Sequence, residues 1–226
     1  MSIPYKKLHI PSSKFKLKSP FSMIPEGICV HNTANDAPAI NEANYCRNNN
    51  NATSYHIAVD EKEAIELLPL NRMAFHAGDG LNGKGNRKYI GIEICYSKSG
   101  GTRYNQAESN AIKLIAKMLH ECGWSIDRVK KHQDFSGKYC PHRILDKDNG
   151  WKDFLNRIQL ELDKLKGNIG DDMFIKDGTS STLRNSFIDK LEVANKAGKI
   201  DAKWVKQAKD GSLNVVDMIL LQEYIK

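Results

Sequence analysis

Apolar positions along this chain change their spacing several times, and each change marks an element. GICVH (27–31) is a short apolar run closed by a polar residue and reads as a buried strand. SYHIAVD (54–60) and EAIELLP (63–69) are two strand-like runs joined tightly, which predicts a hairpin. YIGIEICY (89–96) is the central strand, with Ile90, Ile92, Ile94 and Tyr96 on one face and Gly91, Glu93 and Cys95 on the other. Helical spacing replaces this pattern at 38–50, where Pro38 stands near the start of a short helix, and most clearly at about 105–122. There Ala107, Ala111, Leu114, Ile115, Met118 and Leu119 share one stripe, and Gly123 ends it. RVKKH is a short strand running into His132. A second amphipathic helix spans about 151–166, with Trp151, Phe154, Leu155, Ile158, Leu162 and Leu165 on one side. The first 26 residues read as extended and proline-punctuated, 77–88 as a glycine-rich cleft-edge loop, and 133–150 as loop. Strands alternating with helices predict an α/β domain, a mixed central β-sheet flanked by α-helices.

The pattern changes again at Gly167. Residues 1–166 are read as one domain, 167–181 as a linker and 182–226 as a small all-helical C-terminal domain. In the last, Leu183, Phe187, Leu191 and Ala194 keep helical spacing, followed by Trp204, Val205 and Ala208, then Val215, Val216, Ile219 and Leu220. So short a segment rarely buries a sufficient core alone. It is expected to target a surface or to self-associate through exposed Trp204, Phe187 and Ile219, giving a homo-oligomer.

Composition narrows the class. With 40% hydrophobic and 27% charged residues among 226, the chain should fold as a globule. Its longest apolar runs fall far short of the roughly 18 residues of a membrane span. The N-terminus has lysines but no continuous apolar stretch behind them, so it is not read as a secretory signal. The net charge of +7 favours a polyanion, and Lys6, Lys7, Lys14, Lys16 and Lys18 all precede the first acid, Glu26. No nucleic-acid signature accompanies this charge, so nucleic acid is not expected as a partner. An ordinary lysine-rich surface explains it equally well. The five cysteines include no closely spaced pair, and a disulfide framework is not expected; Cys29, Cys46, Cys95 and Cys122 are read as buried structural thiols.

Cys140 differs. Zinc favours histidine nitrogen and cysteine sulfur, and a catalytic zinc site uses three protein ligands and keeps one position open. His31 ends a strand, His132 follows another, and Cys140 lies eight positions beyond His132. A loop of that length can fold back to bring both side chains to one ion. Spacing alone is a weak signal; its weight comes from the neighbours.

Those neighbours are VHNTA (30–34), SYHIAVD (54–60), FHAGDG (75–80), YIGIEIC (89–95) and KHQDFSGKYCPHR (131–143). In this order they resemble the zinc N-acetylmuramoyl-L-alanine amidases of the peptidoglycan-recognition type, specifically those of phage endolysins, over roughly residues 1–165. The resemblance implies a zinc enzyme that cuts the amide between N-acetylmuramic acid and L-alanine in Gram-positive peptidoglycan. It implies synthesis in the host cytoplasm and action on the wall after release. It places the metal ligands at His31, His132 and Cys140, a catalytic glutamate at Glu93, a lysine at Lys138, a tyrosine at Tyr55 and the histidine of the HAG segment at His76.

Chemistry gives each a job. Glu93 would move a proton from water to the leaving amine, a role worth roughly 10²–10⁴-fold. Lys138 would stabilise the oxyanion, and Tyr55 would donate a hydrogen bond to it or to substrate. His56 and His76 are expected to bind substrate or orient a ligand. The plainer alternatives are a buried ion pair for Glu93, a solvated loop lysine for Lys138 and a half-buried strand aromatic for Tyr55. A binding module without activity is disfavoured by the full ligand set. A zinc peptidase is disfavoured because its helical His-Glu-x-x-His signature is absent.

Overall fold

The structure is a computed structural model that describes residues 3–167, 181–210 and 221. Six strands form one sheet: β1 (Tyr5–Lys7), β2 (Gly27–Asn32), β3 (Ile57–Val59), β4 (Ala64–Glu66), β5 (Tyr89–Ile94) and β6 (Val129–Lys131), in the order β1-β4-β3-β5-β2-β6. β3 and β4 pair antiparallel as the expected hairpin; every other pairing is parallel. The helices are α1 (Phe15–Lys18), α2 (Ala39–Asn48), α3 (Lys84–Lys88), α4 (Gly101–Cys122), α5 (Gln133–Ser136), α6 (His142–Leu145), α7 (Gly150–Leu165), α8 (Ser181–Lys196) and α9 (Ala202–Asp210). The expected mixed α/β architecture is what forms.

Its core follows from the strand alternation. Ile28, Val30, Ile90, Ile92 and Ile94 are essentially solvent-free and join Ala111, Ile115 and Leu119 of α4 in one cluster. Phe154, Ile158 and Leu162 of α7 complete it, since α7 packs along α4. Each of the larger side chains among these contributes about 1.5–3 kcal/mol by leaving water. Glu108, on the buried side of α4, is held by Arg157 of α7 and by Lys147 at 3.3 Å, so its charge is paired. Gly123 takes φ +65°, the left-handed conformation that closes α4.

Several local expectations differ from the structure. α4 begins at Gly101, four residues early, because Tyr104 is already buried in its first turn. β5 stops at Ile94, and Tyr96 has φ +58°, so it does not continue the isoleucine face. The segments 77–88 and 133–150 are not plain loops, since they hold α3, α5 and α6. Cys122 is exposed, unlike the buried Cys29, Cys46 and Cys95. The basic N-terminal residues are largely engaged by the fold. Lys6 meets Glu63 at 2.5 Å, and Lys14 donates to the Asn48 and Asn49 carbonyls at the end of α2. Lys18 is fully buried and bonded to Asn49 Oδ1, Asn51 O and Thr53 O.

The chain divides into two compact units, Met1–Leu165 and Lys166–Lys226. In the second, Leu191, Ala208 and Leu221 are buried together. Phe187 and Trp204, expected to be exposed, are instead partly buried against them, because α8 and α9 turn their apolar stripes toward each other. Most of the 167–181 linker, together with Val215, Val216, Ile219 and Leu220, lies outside the described residues. No described helix is long and apolar enough to cross a membrane.

Candidate metal centre

Parallel pairing of β2 with β5 places Cys29 opposite Gly91 and His31 opposite Glu93. These residues share the sheet face opposite the isoleucines, as alternation requires. On the other side of β2, β6 ends at Lys131, and the next amide, that of His132, donates to the Val30 carbonyl at 3.3 Å. The chain then passes through α5 and returns. The Gln133 amide donates to the Cys140 carbonyl at 3.2 Å, and the Asn32 amide to Cys140 Sγ at 3.4 Å. Asn32 Oδ1 accepts from the Arg143 amide at 2.9 Å, tying the returning loop to the end of β2.

The outcome is a compact donor set. His31 Nδ1 lies 2.9 Å from His132 Nδ1 and 3.9 Å from Cys140 Sγ. All three residues are buried, and their ligand atoms lie within 4.8 Å of one another. His132 Nε2 is buried without a hydrogen-bond partner. Two imidazoles and a thiol this close, with His31 Nδ1 and His132 Nδ1 facing each other, are a donor set that fits a tetrahedral zinc site with one open position. Burial, chiefly, lowers the pKa of His31 well below its ordinary value and that of His132 to about 4, so both rings are neutral at pH 7, as ligation requires. Burial, with Glu93 adding to it, pushes the Cys140 thiol up to about 12. A metal must therefore displace that proton.

Glu93 has Oε2 buried with no hydrogen-bond partner. Burial raises its pKa to about 8; Glu42 of α2 pushes the same way and Lys138 opposes. Lys138 is exposed on the loop before Cys140, and its charge acts on His31, His132, Glu93 and Cys140 alike. Tyr55 is buried, its hydroxyl unpartnered, and burial together with Cys46, Glu42 and Glu93 holds its proton on. The structure thus gathers His31, His132, Cys140, Glu93 and Lys138 in one region, with Tyr55 within electrostatic reach of Glu93.

The two histidines expected to bind substrate or orient a ligand are held by the protein itself. His56 is fully buried; its Nδ1 accepts from the Gly91 amide at 2.9 Å and its Nε2 faces the Arg72 carbonyl at 2.7 Å. Both nitrogens are consumed by backbone, so His56 has none left for a ligand. His76 is buried beside His31, with Nδ1 2.9 Å from His31 Nε2 and Nε2 3.0 Å from the Tyr89 carbonyl. His142, just beyond Cys140, contacts the Ser97 carbonyl through Nε2 at 3.1 Å.

Sequence reasoning missed Gly91, Asn86 and Glu42. A Cβ on Gly91 would stand 2.7 Å from the His76 ring, so only glycine lets His76 lie there. Glycine within a strand is the usual mark of such a close approach, and that signal was available. Asn86 is buried, and its Oδ1 accepts from the amides of His76 and Ala77, both at 2.8 Å. The glycine-rich loop is thereby a fixed cradle for His76.

Comparison with known proteins agrees with this geometry. A family described as N-acetylmuramoyl-L-alanine amidase matches residues 21–143, which include all three donor residues. The amidase CwlA of Bacillus subtilis (strain 168) is 56% identical over 167 residues, covering 74% of this chain and 61% of that protein. XlyB of the same organism is 57% identical over 162 residues, covering 72% of this chain and 51% of its own length. The chain therefore spans about half to three-fifths of these relatives. The solution structure of the PlyG catalytic domain superposes with a TM-score of 0.67 at 47% identity, covering 71% of this chain and 96% of that domain. With a family match over more than half its residues, this chain belongs to the N-acetylmuramoyl-L-alanine amidase family.

Proposed function

We propose that the chain is a zinc-dependent peptidoglycan hydrolase that cleaves the amide between N-acetylmuramic acid and L-alanine, working as a phage or prophage endolysin on Gram-positive walls. The observation that carries this reading is the convergence of His31, His132 and Cys140 beside Glu93, whose shielded Oε2 has no partner in the resting protein. Zinc held by the three donors would acidify a water from a pKa of about 16 toward about 7 and polarise the scissile carbonyl.

The chain's own residues supply the rest. Glu93 takes the attacking water's proton at its free oxygen and delivers it to the departing alanine nitrogen. Burial raises this carboxylate to about 8 in the metal-free protein, and a zinc ion beside it would draw it back toward neutral pH, where one group can take a proton in the first step and give it up in the second. Lys138, on the loop before Cys140 and within electrostatic reach of Glu93, offsets the negative charge that develops on the carbonyl oxygen. Tyr55 keeps its proton and offers a hydrogen bond from a hydroxyl that no protein group occupies.

The test is product analysis on purified walls. New N-terminal alanine should appear without new reducing sugar ends, chelation should abolish the release and zinc should restore it. Reducing ends, or amines only from within the stem peptide, would sink the assignment. Residues 1–166 would form the catalytic domain, 167–181 the linker and 182–226 a wall-targeting module. Phe187 and Trp204 are partly buried against Leu191, Ala208 and Leu221 in the second unit, so these two side chains offer less surface to a second copy than the sequence implied. Deleting residues 170–226 should abolish co-sedimentation with walls; a halved mass in solution would instead mean assembly.

A further inference from the structure

His31 can ligate through one nitrogen only if its proton sits on the other. Contacts behind it decide which. The Tyr89 carbonyl can only accept, so the 3.0 Å contact from His76 Nε2 puts the His76 proton on Nε2. His76 is buried, and the one acceptor that its Nε2 meets among the described residues is that carbonyl, so a single ring proton satisfies it and its Nδ1 is left as a lone pair. That lone pair faces His31 Nε2 at 2.9 Å, which must then carry the hydrogen. His31 Nδ1 is left bare, and it is the atom that faces His132 and Cys140.

We propose that His76 is a positioning residue that fixes His31 as its Nε2–H tautomer and so preforms a metal-binding Nδ1, through the chain Tyr89 C=O···H–Nε2 His76 Nδ1···H–Nε2 His31. The proposal rests on the zinc amidase reading for the identity of the metal, but the tautomer itself belongs to the protein alone. Outer-shell partners of this kind orient ligand rings and raise their basicity.

The rest of the neighbourhood is built to hold His76. Gly91 supplies the space, since a Cβ there would meet His76 Cγ at 2.7 Å and Nδ1 at 2.9 Å. Asn86 anchors the His76 amide. His56 grips the Gly91 amide from the other side and stacks edge-on against His76, with ring centroids 5.7 Å apart. This also separates two overlapping donor triplets among the described residues. In Cys29, His31 and His76, as in His31, His132 and Cys140, the ligand atoms lie within 4.8 Å of one another. With His31 Nε2 protonated, the bare Nδ1 is the His31 nitrogen able to ligate, and it faces His132 and Cys140, the second triplet.

The experiment uses the full chain with ¹⁵N-labelled histidine. Long-range ¹H–¹⁵N spectra of the metal-free wild type should show His31 as the Nε2–H form, and the zinc-loaded protein should keep that proton. A His31 Nδ1–H form, or loss of the Nε2 proton on loading, would overturn the proposal without any variant. Zinc affinity, measured against a chromophoric chelator, should fall about 10–100-fold in His76→Leu, with a mixed His31 tautomer. His76→Gln, whose amide can accept from His31 and donate to Tyr89, should recover to within a few-fold. Gly91→Ala should reproduce the loss with His76 still present, by pushing its ring away. Wild-type affinity and tautomer in His76→Leu would refute the relay, as would a His76→Gln variant no better than Leu. A wild type that binds no zinc at all would instead refute the amidase reading, leaving the tautomer measurement standing.

Discussion

Glu93→Gln separates what this carboxylate costs the fold from what it does for the reaction. In the metal-free protein Glu93 has a pKa of about 8 against an ordinary 4.5, because burial penalises its ion. A raised carboxylate pKa means that the folded state holds the proton more tightly than the unfolded one. Its contribution is therefore neutral below about pH 4.5 and turns destabilising as pH rises from there to about 8. Each unit is worth about 1.4 kcal/mol, so the upper bound is about 5 kcal/mol, reduced to the extent that the partly exposed side chain draws water to the ion. A glutamine side chain at this position resembles the protonated acid and cannot ionise. The two proteins should have similar stability at pH 4.5, and the variant should gain steadily up to pH 8 and level off above it. The buried histidines have lowered pKa values and titrate in both proteins, so they cancel in the difference. Urea unfolding of chelator-treated wild type and variant across pH 4.5–9 measures this. With zinc restored, the variant should bind metal and lose turnover. A stability difference that stays flat with pH would show that Glu93 finds a compensating partner and is not held at a cost, and an active Glu93→Gln would remove it from the mechanism.

Lys138 is exposed and bonds to no protein group in the site, so Lys138→Met should leave zinc stoichiometry and melting temperature unchanged while lowering kcat about 10²–10³-fold, as for loss of an oxyanion donor. Tyr55→Phe deletes a buried hydroxyl without a partner and should leave urea stability equal or raised by about 1 kcal/mol; a fall in kcat alongside would show that the hydroxyl meets substrate. Phe154→Ala, at the α4–α7 contact, should cost about 3–5 kcal/mol by the same assay without altering the metal affinity of the folded protein.

How much of this was legible in the chain depends on whether a residue's task is set by its own neighbours or by distant ones. The isoleucine face of β5 and the stripe of α4 follow from period alone, because burial acts on every second or every third to fourth residue. The short helices α3, α5 and α6 left no such trace, since four or five residues complete barely one turn. Phe187 and Trp204 looked exposed because a stripe shows that a face is apolar and not what covers it. Cys122 shares the helical setting of α4, yet it falls in the last turn, outside the buried stripe.

The metal site shows the same division more sharply. His31, His132 and Cys140 are donors by residue type, so their candidacy could be read directly. His56 and His76 are also donors by type, and the sequence left them between binding substrate and orienting a ligand. What redirects them is a set of backbone groups: the Tyr89 and Arg72 carbonyls and the Gly91 amide. A carbonyl has no side-chain letter, so nothing in the sequence at position 89 or 72 announces that it orients a histidine. Gly91 is the exception, for a glycine between Ile90 and Ile92 in a buried strand gives up packing and β-propensity, and a sheet tolerates that loss where another group must come close. That group is His76, and through it the glycine reaches the ligand two strand positions away: Gly91 faces Cys29, one step along the same face from His31. The missing side chain at 91 is thus as much a part of the candidate metal centre as the imidazole it makes room for.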